Sequence, residues 1–228
     1  ELNINNYTQL CSNTSYYTNT GGQQIYYYPS TLITDTDMSA DNVELTLNLH
    51  TNRWNFISLP FDVDVTDIEY PEGTLWVIRK YSGEDRANMS ENTWHNVTDG
   101  MLLNAGEGYI LHCIRDDYNF VKFTFKALDN ENKNNIFKHQ DVEQPLEVYP
   151  SEYAHNRSWN LVGNPYPSYF NTNGNIEHNG IITVWGEIYD EWGYSNGAGY
   201  VAYSLLDDYY TLKPYESFFV QCPDDATS

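Results

Sequence analysis

Basic residues are scarce in this chain. Only 11 Lys and Arg stand against 32 Asp and Glu in 228 residues, a formal net charge of −21, and the pI is near 4.3. A nucleic-acid partner held by counterion release is thereby excluded, since that mode of binding needs a basic face. The same charge repels the chain from anionic lipid. No apolar run approaches the ~18 residues of a membrane span, so no membrane insertion by this segment is expected. Cysteine is nearly absent: Cys11, Cys113 and Cys222 are too few and too far apart for a disulfide framework or a CxxC metal site. Chemical motifs are missing as well. The six histidines show no HExxH or paired spacing and no serine sits in a G-x-S-x-G elbow. No catalytic residue is assigned, and the chain reads as a non-enzyme that needs no cofactor. The amino terminus, Glu1-Leu2-Asn3, has no charged n-region or apolar h-region, so residue 1 is not expected to be the natural start.

What the chain does have is aromatic mass: 21 Tyr, 9 Phe and 6 Trp. That is too much for disorder despite a mean hydropathy of −0.61. Good helix formers are sparse, whereas Asn, Tyr, Thr and Gly abound, which favours strands and turns. Five Asn-X-Ser/Thr sequons begin at Asn6, Asn13, Asn88, Asn96 and Asn156, but roughly one residue in nine is Asn, so chance supplies most of them.

Comparing the chain with itself exposes an internal repeat. Asn52-Arg53-Trp54-Asn55-Phe56-Ile57-Ser58-Leu59-Pro60-Phe61 answers to Asn156-Arg157-Ser158-Trp159-Asn160-Leu161-Val162-Gly163-Asn164-Pro165-Tyr166. A second aromatic strand follows in each, Leu75-Trp76-Val77-Ile78 and Thr183-Val184-Trp185-Gly186, with a short insertion in the second copy. Gly108-Tyr109-Ile110-Leu111-His112-Cys113 then aligns with Ser217-Phe218-Phe219-Val220-Gln221-Cys222. Upstream, Val43-Glu44-Leu45-Thr46-Leu47-Asn48-Leu49 alternates like a half-buried strand and matches Leu146-Glu147-Val148-Tyr149. Turn chemistry such as Pro71-Glu72-Gly73, Asn173-Gly174-Asn175 and Asn196-Gly197-Ala198-Gly199 punctuates the strands. The expectation is an all-β fold of two tandem, internally repeated β-sandwich or jelly-roll-like units. The first unit covers residues 1–118, with the N-terminal strands, and the second covers 119–228.

The pattern Trp54-Asn55-Phe56-Ile57-Ser58-Leu59-Pro60, an aromatic strand and Leu103-Asn104-Ala105-Gly106-Glu107-Gly108-Tyr109 resembles the "WNLISLP … L-x-x-G-x-G-Y" module of prokaryotic secreted and surface proteins. Trp159-Asn160-Leu161-Val162-Gly163-Asn164-Pro165-Tyr166-Pro167 with Phe218-Phe219-Val220-Gln221 is similar to segments of exported Bacteroidetes proteins. There such modules accompany leucine-rich repeats, adhesin-like regions or sorting domains. The resemblance implies an extracellular or cell-surface setting, further domains in a parent protein, and no catalytic residues. Lys213-Pro214-Tyr215-Glu216-Ser217 departs from the Gly-x-Gly turn, which leaves the loop geometry of the second copy open.

The recurring Trp54 and Trp159 read as core filling, as do Trp76 and Trp185. Cys113 and Cys222 fall on the expected buried face as free thiols, with a mutual bridge and a pairing with Cys11 as the alternatives. The loop Ser82-Gly83-Glu84-Asp85-Arg86-Ala87-Asn88 reads as a polar hairpin tip. Its counterpart carries Trp192, Tyr194 and Tyr200 among Gly and Asn, rings that one hairpin cannot bury. These three are the candidate ligand contacts, for a protein or a glycan at the cell surface. Asp35, Asp37 and Asp41, and less so Asp62, Asp64 and Asp67, could hold adventitious Ca²⁺, although neither run fits the calcium-loop pattern. Glu187, Asp190 and Glu191 are the only carboxylates suggestive of a glycosidase pair. A noncatalytic structural or interaction module, adhesin-like or scaffold, is therefore expected. A carbohydrate-binding module is the alternative, and a glycoside hydrolase comes third.

Overall fold

The computed structural model describes residues 8–12, 17–20, 23–26, 43–128, 144–164, 166, 168–172, 181–189, 195–204 and 210–222. The fold is all-β. In chain order the strands are β1 (Thr8–Ser12), β2 (Tyr17–Thr20), β3 (Gln23–Tyr26), β4 (Val43–His50), β5 (Trp54–Ser58), β6 (Val63–Asp64) and β7 (Leu75–Tyr81). After one five-residue helix, α1 (Gly83–Ala87), come β8 (Trp94–Val97), β9 (Leu102–Leu103), β10 (Gly108–Ile114) and β11 (Phe120–Lys126). The remaining strands are β12 (Trp159–Gly163), β13 (Phe170–Asn171), β14 (Ile181–Tyr189), β15 (Ser195–Ser204), β16 (Thr211–Leu212) and β17 (Ser217–Gln221).

The alternation read in Val43–Leu49 has a structural partner. β4 pairs antiparallel with β11, setting Leu45, Leu47 and Leu49 opposite Phe125, Phe123 and Val121. All six are buried, and such apolar cross-strand pairs are what stabilise a sheet face. On the other face the Thr46 and Thr124 hydroxyls meet at 3.2 Å. β1 adds to β4 in parallel, giving the order β1-β4-β11. This apolar face covers a second sheet, β5-β10-β7-β8, which contributes Ile57, Ile78, Val97, Tyr109, Leu111 and Cys113 to the same core. β11 lies beyond residue 118, so the sheet that closes this core draws on chain from both sides of the expected unit boundary.

A third sheet runs β12-β17-β14-β15. Counted along the chain, both four-stranded sheets have the order first, fourth, second, third, and each is accompanied by a two-stranded ladder, β6–β9 or β13–β16. Behind the third sheet Val162, Ile182, Val184, Leu212, Phe218 and Val220 form a second core. Leu146–Tyr149, expected as a strand, is extended without joining a ladder among the described residues. The side chain of Asn160 takes up its polar groups instead, accepting from Glu147 N and donating to Glu147 O, both at 2.9 Å. Asn55 treats His50 in the same way, also at 2.9 Å.

The two four-stranded sheets also pack on each other, and small residues set the closeness of approach. A Cβ on Gly163 would collide with the Ser58 side chain, and one on Gly108 would collide with Leu161 and lie 2.9 Å from the Ser217 Cβ. Each gap thus holds one hydroxymethyl group and one glycine. Backbone bonds cross the seam reciprocally: Ser58 N donates to Tyr215 O and Gly163 N to Gly106 O, both at 2.9 Å. Gly106 has φ +76° and Tyr215 φ +62°. The two turns therefore share the left-handed geometry that the Lys213–Ser217 departure had left open. A tyrosine in that region costs about 1–3 kcal/mol, offset by its burial in the core between the first two sheets, where it is 4% exposed.

Two sequence readings are corrected here. Trp54 and Trp159 are half-buried flanks of the seam rather than core filling, each with an arginine over its ring, Arg79 at 5.1 Å and Arg86 at 4.9 Å. Trp76 and Trp185 are not equivalent. Leu111 faces Ile78 across its ladder and Val220 faces Ile182, which sets Tyr81, not Trp76, in the place of Trp185. Period-2 alternation then puts Trp76 on the outer core and Trp185 on the seam. Residues 82–93 join the antiparallel strands β7 and β8 as the tip of a hairpin, and within them 83–87 form α1, whose first turn is capped by the Ser82 hydroxyl accepting from Asp85 N at 3.1 Å.

Candidate functional site

Strands buried on both faces create a site at the seam. On β5, Ile57 points into the first core while Trp54 and Phe56 point toward the third sheet; β7 contributes Arg79 and Tyr81, and β8 contributes Trp94. From the other side come Trp159, Leu161, Phe219, Trp185 and Tyr200. The rings contact one another in quasi-equivalent pairs. Tyr81 meets Trp94 edge-on at 5.2 Å, and Trp185 meets Tyr200 edge-on at 5.0 Å. Phe56 stacks on Trp185 at 5.5 Å with only 8° between planes, and Phe219 meets Tyr81 at 4.8 Å.

The cluster does not close completely. Trp54, Phe56, Arg79, Trp94, Ile110, Trp185 and Tyr200 line a cleft of about 140 Å³. Tyr200 forms its outer lip and is 53% exposed. Arg79 is held in the wall by its Nε, which donates to Asn96 Oδ1 at 3.0 Å, while its guanidinium lies over the Trp54 ring. Burial raises the Tyr200 hydroxyl above the ordinary phenol range, with Arg86 opposing, so it is a neutral donor at physiological pH. None of the described lining residues is a carboxylate. The described lining therefore presents ring faces and hydrogen-bond donors.

Of the ligand contacts expected from the sequence, Tyr200 is brought into this cleft. Trp192 and Tyr194 lie outside the described residues, as do Asp35, Asp37 and Asp41 and the carboxylates of Asp190 and Glu191. Among the described residues no three His, Cys, Asp or Glu side chains gather as a metal site, and no helix is long and apolar enough to cross a membrane. Cys113 and Cys222 are buried free thiols. Each donates to the carbonyl of the residue its neighbouring asparagine binds, Cys113 to His50 and Cys222 to Glu147. Burial pushes the Cys113 thiol up to about 11 and raises that of Cys222, so both are inert packing groups at neutral pH.

Sequence reading missed Arg79 and Trp94 and misplaced Trp54. The available signal was β5 itself: Trp54 and Phe56 alternate with Ile57, and a strand apolar on both faces requires a layer on each side.

No family model, curated protein or solved structure matches the chain.

Proposed function

We propose that this chain is a noncatalytic interaction module of a larger exported or cell-surface protein, and that the seam cleft is its contact surface. The observation that carries this reading is a solvent-open cleft walled by Trp54, Trp94, Trp185 and Tyr200 with Arg79, with no carboxylate among its described lining residues. Half-buried aromatics and arginine are the residues that most often anchor a partner. The doubly covered central sheet supports the reading, because rings fixed by packing on two sides lose little freedom when a partner arrives. The high negative charge keeps such a module soluble outside the cell. The experiment is retention of chain-coated beads on intact cell surfaces and on immobilised extracellular polysaccharide, with product release from the polysaccharide measured in parallel. The reading expects retention by the native chain, loss of retention with Tyr200→Ala, and no turnover. Retention that is unchanged in Tyr200→Ala, or release of shortened product, contradicts it.

A further inference from the structure

We infer that the seam cleft takes one neutral pyranose ring, so that the module's ligand class is a neutral, hydroxyl-rich glycan; this rests on the cleft being the contact surface. Size comes first. An apolar cavity of ~150 Å³ holds a single benzene, and this cleft has about 140 Å³, room for the ring atoms of one pyranose seated on the wall, with its hydroxyls and its neighbours reaching solvent. The walls offer one ring plane and upright rings beside it. Phe56 and Trp185 lie parallel while Trp94 and Tyr200 stand nearly perpendicular to Phe56, at 86° and 88°. The apolar C–H face of a sugar can rest on one ring plane while its rim is read from the side.

The polar equipment consists of donors. Arg79 keeps its Nη groups for a ligand because Nε is committed to Asn96. Among the described residues, the indole N–H groups of Trp54, Trp94 and Trp185 donate to no protein acceptor, whereas that of Trp159, outside the cleft, donates to His155 O at 2.9 Å. Sugar hydroxyls and ring oxygens are acceptors spaced around a rim, which suits a lining supplied with several donors.

Charge selects the neutral member of the class. A net charge of −21 repels anionic ligands at a distance, and inside the cleft a cation would meet Arg79, with no carboxylate among the described lining residues to offset it. A neutral ring meets neither obstacle.

The test is titration of the full chain with the neutral hexaoses of glucose, mannose and galactose, followed by tryptophan emission and by calorimetry. A polygalacturonate hexaose and a proline-rich decapeptide serve as competing probes. At least one neutral hexaose is expected to saturate, with affinity falling about tenfold in Tyr200→Ala and in Arg79→Gln, about the loss of one ring or charged contact. It should stay unchanged in Leu75→Ala, an exposed residue at the start of β7 that does not line the cleft. Tyr200 is exposed enough for its variant to fold, and an unchanged melting temperature verifies that. Failure of all three neutral hexaoses to bind, or equal affinity in Tyr200→Ala, overturns the inference. Binding at the cleft by the acidic hexaose or the peptide alone overturns the neutral-sugar assignment while leaving the contact-surface reading standing. Cell-surface retention that survives Tyr200→Ala would sink both.

Discussion

The second and third sheets share their strand order, yet they keep different company on their outer faces. The first of the pair is covered by the β1-β4-β11 sheet over a core of Leu, Ile, Val and Phe. The other is backed by Leu146, Phe170, Leu212 and Tyr210 from short or irregular segments. Where the two meet, corresponding positions carry different residues for a steric reason. Ser58 faces Gly163, and Gly108 faces Ser217, so the seam tolerates one side chain per gap and the partner position must be glycine. Gly106 and Tyr215 show a second kind of asymmetry. They share a backbone geometry, but the tyrosine also inserts its ring into the core of the other half. Similar strand plans therefore dock through complementary rather than identical residues.

The largest way to break that comparison is Tyr215→Ala. It empties a buried site in the first core while leaving the strained backbone in place, and should cost about 4 kcal/mol in urea unfolding. Gly106→Ala on the opposite turn adds a methyl where Gln144 sits and imposes the left-handed strain without any burial to offset it; about 2 kcal/mol is expected. Gly163→Ser puts two hydroxymethyl groups in one gap and should cost about 3 kcal/mol. Adding Ser58→Gly to it restores one side chain to the gap, and the double variant should recover most of the loss. A double variant no better than Gly163→Ser alone would mean that the gap is not what fixes the pairing.

Asn55→Ala and Asn160→Ala sharpen the comparison, since each asparagine bridges to the backbone of an upstream segment. About 2 kcal/mol each is expected from the backbone groups left without partners; a large loss at Asn55 with none at Asn160 would show that Leu146–Tyr149 is held by other contacts. The smallest effect is a pH dependence. Burial first, and then Arg53 and Lys213, push His50 down from 6.5 to about 3. The unfolded chain takes up a proton near pH 6.5 that the folded chain refuses until about pH 3. This contribution to stability is thus complete above pH 6.5 and is lost on acidification between those values. Partial exposure holds the slope well under the ~1.4 kcal/mol per pH unit of a fully buried group. Urea midpoints at pH 7 and pH 4.5 should fall less in His50→Leu than in the native chain.

Strands were legible where apolar residues alternated, as at Val43–Leu49, because period 2 is a local property. The all-β class followed from composition and turn residues. The seam was not legible, since two sheets docking face to face depend on contacts between residues about a hundred positions apart. Trp54 was taken for core because a recurring tryptophan inside a strand looks the same in sequence whether the layer above it is complete or cleft. Alignment by residue type paired Trp76 with Trp185, while the ladder pairs Trp185 with Tyr81; register is set by hydrogen bonding across strands, which no linear match contains. Tyr200 was found as a ring too many for its hairpin. Arg79 gave no sign of itself, being one of few cations on an otherwise ordinary strand.

The claim on which these readings depend is that the two four-stranded sheets are locked together by reciprocal backbone bonds, Ser58 N to Tyr215 O and Gly163 N to Gly106 O. Native-state hydrogen exchange at these two amides tests it directly. If the seam is part of the cooperative fold, both amides exchange only through global opening, with protection equal to that of β10 and β17. Exchange of either amide at the rate of an open surface loop would mean that the halves part in the native state, and the cleft between them would lose its walls.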